Sequence, residues 1–260
     1  MSKCQDPAKV PTGLSCFDQI TGGGIPKPAA MALIGSVDGG KELFARQLVW
    51  NLLRKGSKVL YYSVNQAADE LRYDLLSYDW DVAPYEENGM LRIVDVFSQA
   101  TERMSSEFKK NIDPNGKLSE LSFHKTVYDL KTIYAEGMRF IPVLSKSPQH
   151  RVAIFDTISP LFSTNTEGVF QMIHALKFAT RLSKATGIGI MHTGIHDSKT
   201  EETFKSLADA IIQINQIEAG TSSSLTISKY PGEYKTGPFP FQISGEGIKI
   251  IPVPMPDLSM

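Results

Sequence analysis

The sequence predicts an α/β fold: a mostly parallel, twisted sheet with helices on both faces and antiparallel strands added at its C-terminal end. Three observations carry this reading. Short apolar or β-branched runs alternate with longer segments of helical period, as in successive βαβ units. The apolar run Ala30–Ile34 leads into a glycine-rich turn and then a helical pattern. Beyond residue 210 the helical segments stop, and strand-like runs follow one another across Gly and Pro turns.

Taken in order, the expected strands of the parallel part are Ala30–Ile34, Lys58–Ser63, Leu91–Val96, Val152–Asp156, Ile188–His192 and Ala210–Gln216. Between the first two, Glu42–Lys55 sets Leu43, Gln47 and Trp50 beside Phe44, Leu48 and Leu52. That helix is apolar over much of its girth and suited to packing on a sheet. Ala68–Tyr78, Lys117–Glu136 and Val169–Lys184 also read as helices. Ser98–Gln149 is the least patterned stretch, with Asp113-Pro-Asn-Gly116 marking a turn between two helices. Ser223–Lys229, Phe239–Ile243 and Ile248–Ile251 are the added strands, and the Pro-rich tail 251–260 should be extended.

With 260 residues and 42% apolar content, the chain can bury a core as one domain, residues 1–260, without disulfides or metals. Its 27 basic and 28 acidic side chains leave a net charge of −1, which argues against a nonspecific nucleic-acid binder. Cys4 and Cys16 are too few for a metal cage. The N-terminus lacks a signal-peptide core, and no run approaches the roughly 20 apolar residues that span a bilayer. A cytoplasmic protein without membrane association is expected.

The turn Gly35, Ser36, Val37, Asp38, Gly39, Gly40, Lys41, Glu42 matches a phosphate-binding loop, G-x-x-x-x-G-K-[ST], except at its last position. In that motif, backbone N–H groups and the following helix N-terminus surround the phosphates, the lysine reaches the outer ones, and a hydroxyl binds Mg²⁺. Here Glu42 replaces the hydroxyl, and Asp38 adds a second carboxylate. A carboxylate can ligate Mg²⁺. It also repels phosphate: two unit charges about 4 Å apart repel by about 4 kcal/mol at an effective dielectric near 20. Two readings follow: a nucleotide site of reduced affinity, or a loop kept for its turn with Lys41 neutralised by Glu42 or Asp38.

Several phrases in their order resemble the KaiC-like branch of the RecA superfamily. They are Pro11–Asp18, Gly22–Pro26, the loop at 35–42, Arg151–Pro160, Leu207–Ile212 and Ser224–Lys229. The resemblance implies a RecA-like P-loop ATPase core binding ATP or ADP with Mg²⁺, commonly in rings or filaments with nucleotide between subunits. It places the Mg²⁺ acid at Asp156, beside Glu42 as the other candidate ligand. It places the glutamates that activate water where this chain has Asn65 and Gln66. Amides orient water but cannot take its proton, and losing a general base removes a factor of about 10²–10⁴ in rate. Asp69 and Glu70 are close in sequence but fall inside the next helix. Relatives pair a lysine with an arginine two residues on, against the neighbour's phosphate. Lys229 fits that contact in trans, whereas Pro231 occupies the arginine's place.

Other signals in the sequence carry less weight. His192 and His196 lack a third zinc ligand, and Gly194 between them favours a loop facing the cleft. Tyr61, Tyr62, Tyr73, Tyr78, Trp80 and Tyr85 read as core and rim packing. The loops 157–168 and 192–206 carry no positive excess for single-stranded DNA. The expectation is therefore a KaiC/RecA-like protein with degraded hydrolysis motifs and weak or absent ATPase activity. It would act as a homo-oligomer or through a protein partner, by a sheet edge or the C-terminal tail. An active ATPase of unusual construction, a recombinase paralogue and a peptide-binding module are the alternatives.

Overall fold

The computed structural model describes residues 8–110, 128–140, 149–163, 165–218 and 222–251. The chain opens with β1 (Ala8–Val10), α1 (Ser15–Ile20) and β2 (Ile25–Lys27), β1 and β2 forming a small antiparallel ribbon. Then come β3 (Ala29–Gly35), α2 (Lys41–Arg54), β4 (Lys58–Ser63), α3 (Ala68–Leu76), α4 (Ala83–Glu87) and β5 (Leu91–Asp95). α5 (Val96–Lys110), α6 (Leu130–Phe140), β6 (Arg151–Phe155), α7 (Ser159–Phe162), α8 (Thr166–Ser183), β7 (Thr186–His192) and α9 (Ser198–Leu207) follow. The chain then runs through β8 (Ala210–Glu218), β9 (Ser222–Lys229), β10 (Phe239–Ser244) and β11 (Gly247–Ile250).

The main sheet has the order β11-β10-β9-β8-β3-β7-β6-β4-β5. From β8 to β5 all pairs are parallel, and β8 to β11 are antiparallel, as expected from the sequence. Both faces are covered. Phe44, Leu48 and Leu52 of α2 pack with Leu33, Val59 and Ile190 on one side; Ile133 of α6 and Met172 of α8 pack with Leu60, Ala153 and Met191 on the other. Each fully buried side chain of this size contributes about 1.5–3 kcal/mol, so the two layers fix the strand ends that carry the site.

Several sequence boundaries are corrected. Of the expected helix 117–136, residues 117–127 and the turn at 113–116 lie outside the described residues. The described helix begins only at Leu130, because the Asp129 carboxylate accepts from the N–H groups of Lys131 and Thr132 and the Thr132 hydroxyl, a side-chain cap. The segment after Asp95 is helical, since that carboxylate accepts from the Ser98 N–H and hydroxyl. The stretch 157–168, expected as a loop, holds α7 and the start of α8, capped by Asn165 on the Gly168 N–H at 2.8 Å. Within 192–206, α9 is capped by Asp197 on the Thr200 N–H at 2.9 Å. The aromatic residues are packing elements as expected, except Tyr73, which is 76% exposed. Of the tail, only Ile251 lies among the described residues, its N–H donating to the Pro240 carbonyl.

Candidate functional site: a phosphate loop with a paired lysine

β3 enters the loop buried from Met31 to Gly35, and its last residue must be glycine. A Cβ on Gly35 would lie 1.8 Å from the Ile214 carbonyl oxygen of β8, and one on Gly39 would lie 2.7 Å from the same atom. Gly40 has φ +83°, a left-handed conformation that starts α2. The 14-residue helix that follows turns its free N–H groups toward the loop, the arrangement that attracts anions.

Lys41 is completely buried. Its Nζ donates to the Ser36 carbonyl at 2.6 Å and the Val37 carbonyl at 3.5 Å, and lies 3.2 Å from Glu42 Oε1. Burial lowers its pKa, while Glu42 and then Asp38 oppose that shift. Asp38 itself is exposed, so Glu42 is the principal counter-ion. His192, the register partner of Gly35 at the end of β7, brings Nδ1 to 3.7 Å from the same Glu42 oxygen. Burial and then Lys41 lower the His192 pKa; Glu42 works against them. The Ser36 hydroxyl, His192 Nδ1 and His196 Nε2 are buried with no hydrogen-bond partner among the described residues. Unpaired buried polar atoms of this kind suit a polar ligand.

Asp156 follows β6, buried, and accepts the Val64 N–H at 2.9 Å. Burial pushes its carboxyl up to about 7, against the N–H groups of Val64 and Thr157, the Arg46 charge and the Asn65 N–H. It thereby fixes the turn carrying Asn65. Asn65 is exposed and, with Ser159, Thr166, His192 and His196, lines a cleft of about 490 Å³. Gln66 has a different job. Its Oε1 accepts from Arg46 at 3.0 Å, its Nε2 donates to Asp74 at 3.1 Å, and Arg46 also reaches Asp74 at 3.1 Å. Asp69 is paired with Arg72 at 2.6 Å, and Glu70 accepts from the Ala67 N–H at the start of α3. Lys229, on β9, donates to the Ala208 carbonyl at 2.6 Å, where α9 ends.

The structure thus gathers the loop 35–42, Asp156, Asn65 and His192 around the C-terminal ends of the parallel strands. Gln66 and Lys229 are engaged in hydrogen bonds within the chain. Sequence reasoning missed the Arg46–Gln66–Asp74 triangle and the contact of His192 with Glu42; the register between β3 and β7 is the feature that makes the second one visible. Among the described residues no group of three or more His, Cys, Asp or Glu side chains forms a metal cage, His192 and His196 included. The loop frame and its unpaired polar atoms fit phosphate. The Mg²⁺ side fits less well, because the carboxylate at the hydroxyl position is already paired with Lys41.

No helix among the described residues is long and apolar enough to cross a membrane. A UPF0273 protein of Pyrococcus horikoshii is 26% identical over 251 residues, covering 94% of each chain. A UPF0273 protein of Thermotoga maritima is 24% identical over 255 residues, covering 94% of this chain and 96% of its own. The circadian clock protein KaiC2 of Synechocystis is 24% identical over 251 residues, 94% of this chain but 40% of that longer protein. The family model described as "ATPase: KaiC" matches residues 10–254, and the chain belongs to that family of KaiC ATPase domains.

Proposed function

We propose that this chain is a KaiC-family protein that binds ATP or ADP weakly, hydrolyses it slowly or not at all, and acts through contacts with further copies of itself or with a protein partner. KaiC-family domains generally bind ATP with Mg²⁺ and are often oligomeric. The observation that carries the reading is the pairing of Lys41 with Glu42 at 3.2 Å in the loop that would receive the phosphates. A triphosphate there must compete with a covalently tethered carboxylate for the same ammonium, and it meets that carboxylate's charge as it does so. Three further positions point the same way. Asn65 and Gln66 supply no proton acceptor, and Pro231 supplies no cation for a neighbour's phosphate. In this reading Asp156 and Glu42 would hold Mg²⁺ when nucleotide enters, and Lys229 would turn to the phosphate of an adjacent subunit.

Calorimetric titration of ATP, with and without Mg²⁺, joined to mass measurement of the assembly, tests the proposal. Weak binding and turnover far below about one per second support it, since ordinary enzymes work at or above that rate. Turnover above that value overturns it.

A further inference from the structure

Two helices hold large apolar side chains out in water, and they do so on opposite faces of the sheet. On α3, Leu71 and Leu75 enter the core layer of Phe44 and Leu48, while Tyr73, 76% exposed, and Leu76 point outward. On α8, Val169, Met172 and Leu176 enter the layer of Leu60 and Ala153, while Phe178, 65% exposed, and Leu182 point outward. Side chains three or four apart on a helix are neighbours, so each helix carries an outward apolar pair. Lone exposed apolar residues are ordinary, whereas apolar clusters rimmed by charge mark contacts with other proteins.

The two rims differ in sign. Residues 65–89 carry seven acidic side chains and one basic, Arg72. Arg72 is shared between Asp69 and Glu86, so one cation meets two carboxylates, and Glu70 adds a third. Residues 174–184 carry three basic side chains and no acidic one. Asp209 is shared between Lys177 and Arg181, so one carboxylate meets two cations, and Lys184 adds a third. The ion pairs within each rim therefore leave its net charge standing. Beside Tyr73 the acidic rim borders a hollow of about 460 Å³, lined by Gln66, Asp69, Glu70 and Asp74. Phe178, by contrast, projects from α8.

We propose that the α3 face of one copy of this chain docks on the α8 face of the next. The proposal rests on the reading that the chain acts through further copies of itself, and it adds the surfaces that meet. Tyr73 and Leu76 bury against Phe178 and Leu182, with Arg181 and Lys184 set over Asp69 and Glu70. The patches look away from each other across the sheet, so a single two-fold axis cannot bring both into one interface. The contact is heterologous, and it closes into a ring or continues as a filament. Neither patch contains a residue of the phosphate loop, so this contact forms without nucleotide.

The test is sedimentation of the full chain without nucleotide, over a range of protein and salt concentrations. The parent should self-associate, and more weakly as salt rises and screens the rims. Tyr73→Lys and Phe178→Glu each bring a like charge against the opposing rim. Each should raise the dissociation constant about tenfold or more, as loss of an aromatic anchor does. Both positions are exposed on helix surfaces, and thermal melts check that folding is unchanged. Mixed one to one, the two variants should form a dimer and nothing larger, because each keeps the face that the other has lost. Variants that stay monomeric when mixed overturn the head-to-tail arrangement. Self-association that neither substitution weakens overturns these surfaces and leaves the wider reading standing. A parent that remains monomeric at millimolar concentration overturns both the surfaces and the self-association on which they rest.

Discussion

The Glu42 carboxylate stands 3.2 Å from the buried Lys41 ammonium and 3.7 Å from the His192 imidazole. One acidic side chain thus answers two basic groups at the mouth of the phosphate loop. Glu42 is itself only one-quarter exposed, so water screens this pairing less than it would an ion pair on the surface. Replacing it by the residue the motif specifies should release the lysine and remove the repulsion together. Glu42→Thr is expected to raise Mg²⁺-ATP affinity at least tenfold, about 1.4 kcal/mol. Adding Asn65→Glu should raise any trace turnover. Unchanged calorimetric affinity in Glu42→Thr would mean that Glu42 does not guard the loop.

The close approach of Gly35 to β8 leads to a stability prediction. A Cβ at Gly35 would sit 1.8 Å from a backbone carbonyl oxygen, and one at Gly39 2.7 Å from the same atom. A carbonyl inside a sheet cannot swing aside as a flexible side chain can. Gly35→Ala should therefore cost more than about 3 kcal/mol, beyond ordinary overpacking, with Gly39→Ala costing less. Urea midpoints at constant slope rank the two, and the reverse order would contradict the β3–β8 geometry.

How much of this was legible in the sequence depended on distance along the chain. The unit from Ala30 to Lys55 could be read because its strand, glycines and helix are contiguous, and each local preference agrees with the fold. α5 and α9 announce themselves by Asp95 and Asp197, each three residues before a group it caps. Those signals are short and were outweighed by the polar character of the segments. The fates of Gln66 and His192 were not legible. Gln66 is joined to Arg46, 20 residues away, and His192 meets Glu42 only because β7 pairs with β3. Nothing local in either segment encodes that neighbour.

Asp156 acts as an anchor before any chemistry is considered. Its carboxylate accepts the Val64 N–H at 2.9 Å and holds the turn that presents Asn65. Asp156→Ala would leave a buried N–H unsatisfied, a loss of about 1–3 kcal/mol. Amide exchange at Val64 and Asn65 should quicken more than exchange in the distant strands β8 and β9. Uniform acceleration throughout the sheet would show that Asp156 supports the whole fold and not the turn.

His150 supplies a pH dependence whose sign can be derived. The ring is 8% exposed, with Nε2 3.1 Å from the Thr186 hydroxyl and Nδ1 3.5 Å from the Ser57 hydroxyl. Thr186 donates its own proton to the Pro26 carbonyl at 2.8 Å, so it accepts from Nε2–H, and Nδ1 is left to accept from Ser57. Neutral imidazole satisfies this chain of bonds. Burial first, and then the Lys27 charge, lower the pKa to about 4. An unfolded histidine titrates near 6.5, so between about pH 6.5 and 4 the unfolded chain binds the extra proton. The His150 contribution to stability is therefore lost as pH falls through that window, by about 3 kcal/mol in all. Asp156, held up to about 7, acts in the opposite sense throughout this window, so the His150 contribution is read by comparing variants. Between pH 6.5 and 4, the stability of His150→Gln relative to the parent should rise as pH falls in urea titrations. Parallel profiles for the two proteins would place the protonation elsewhere.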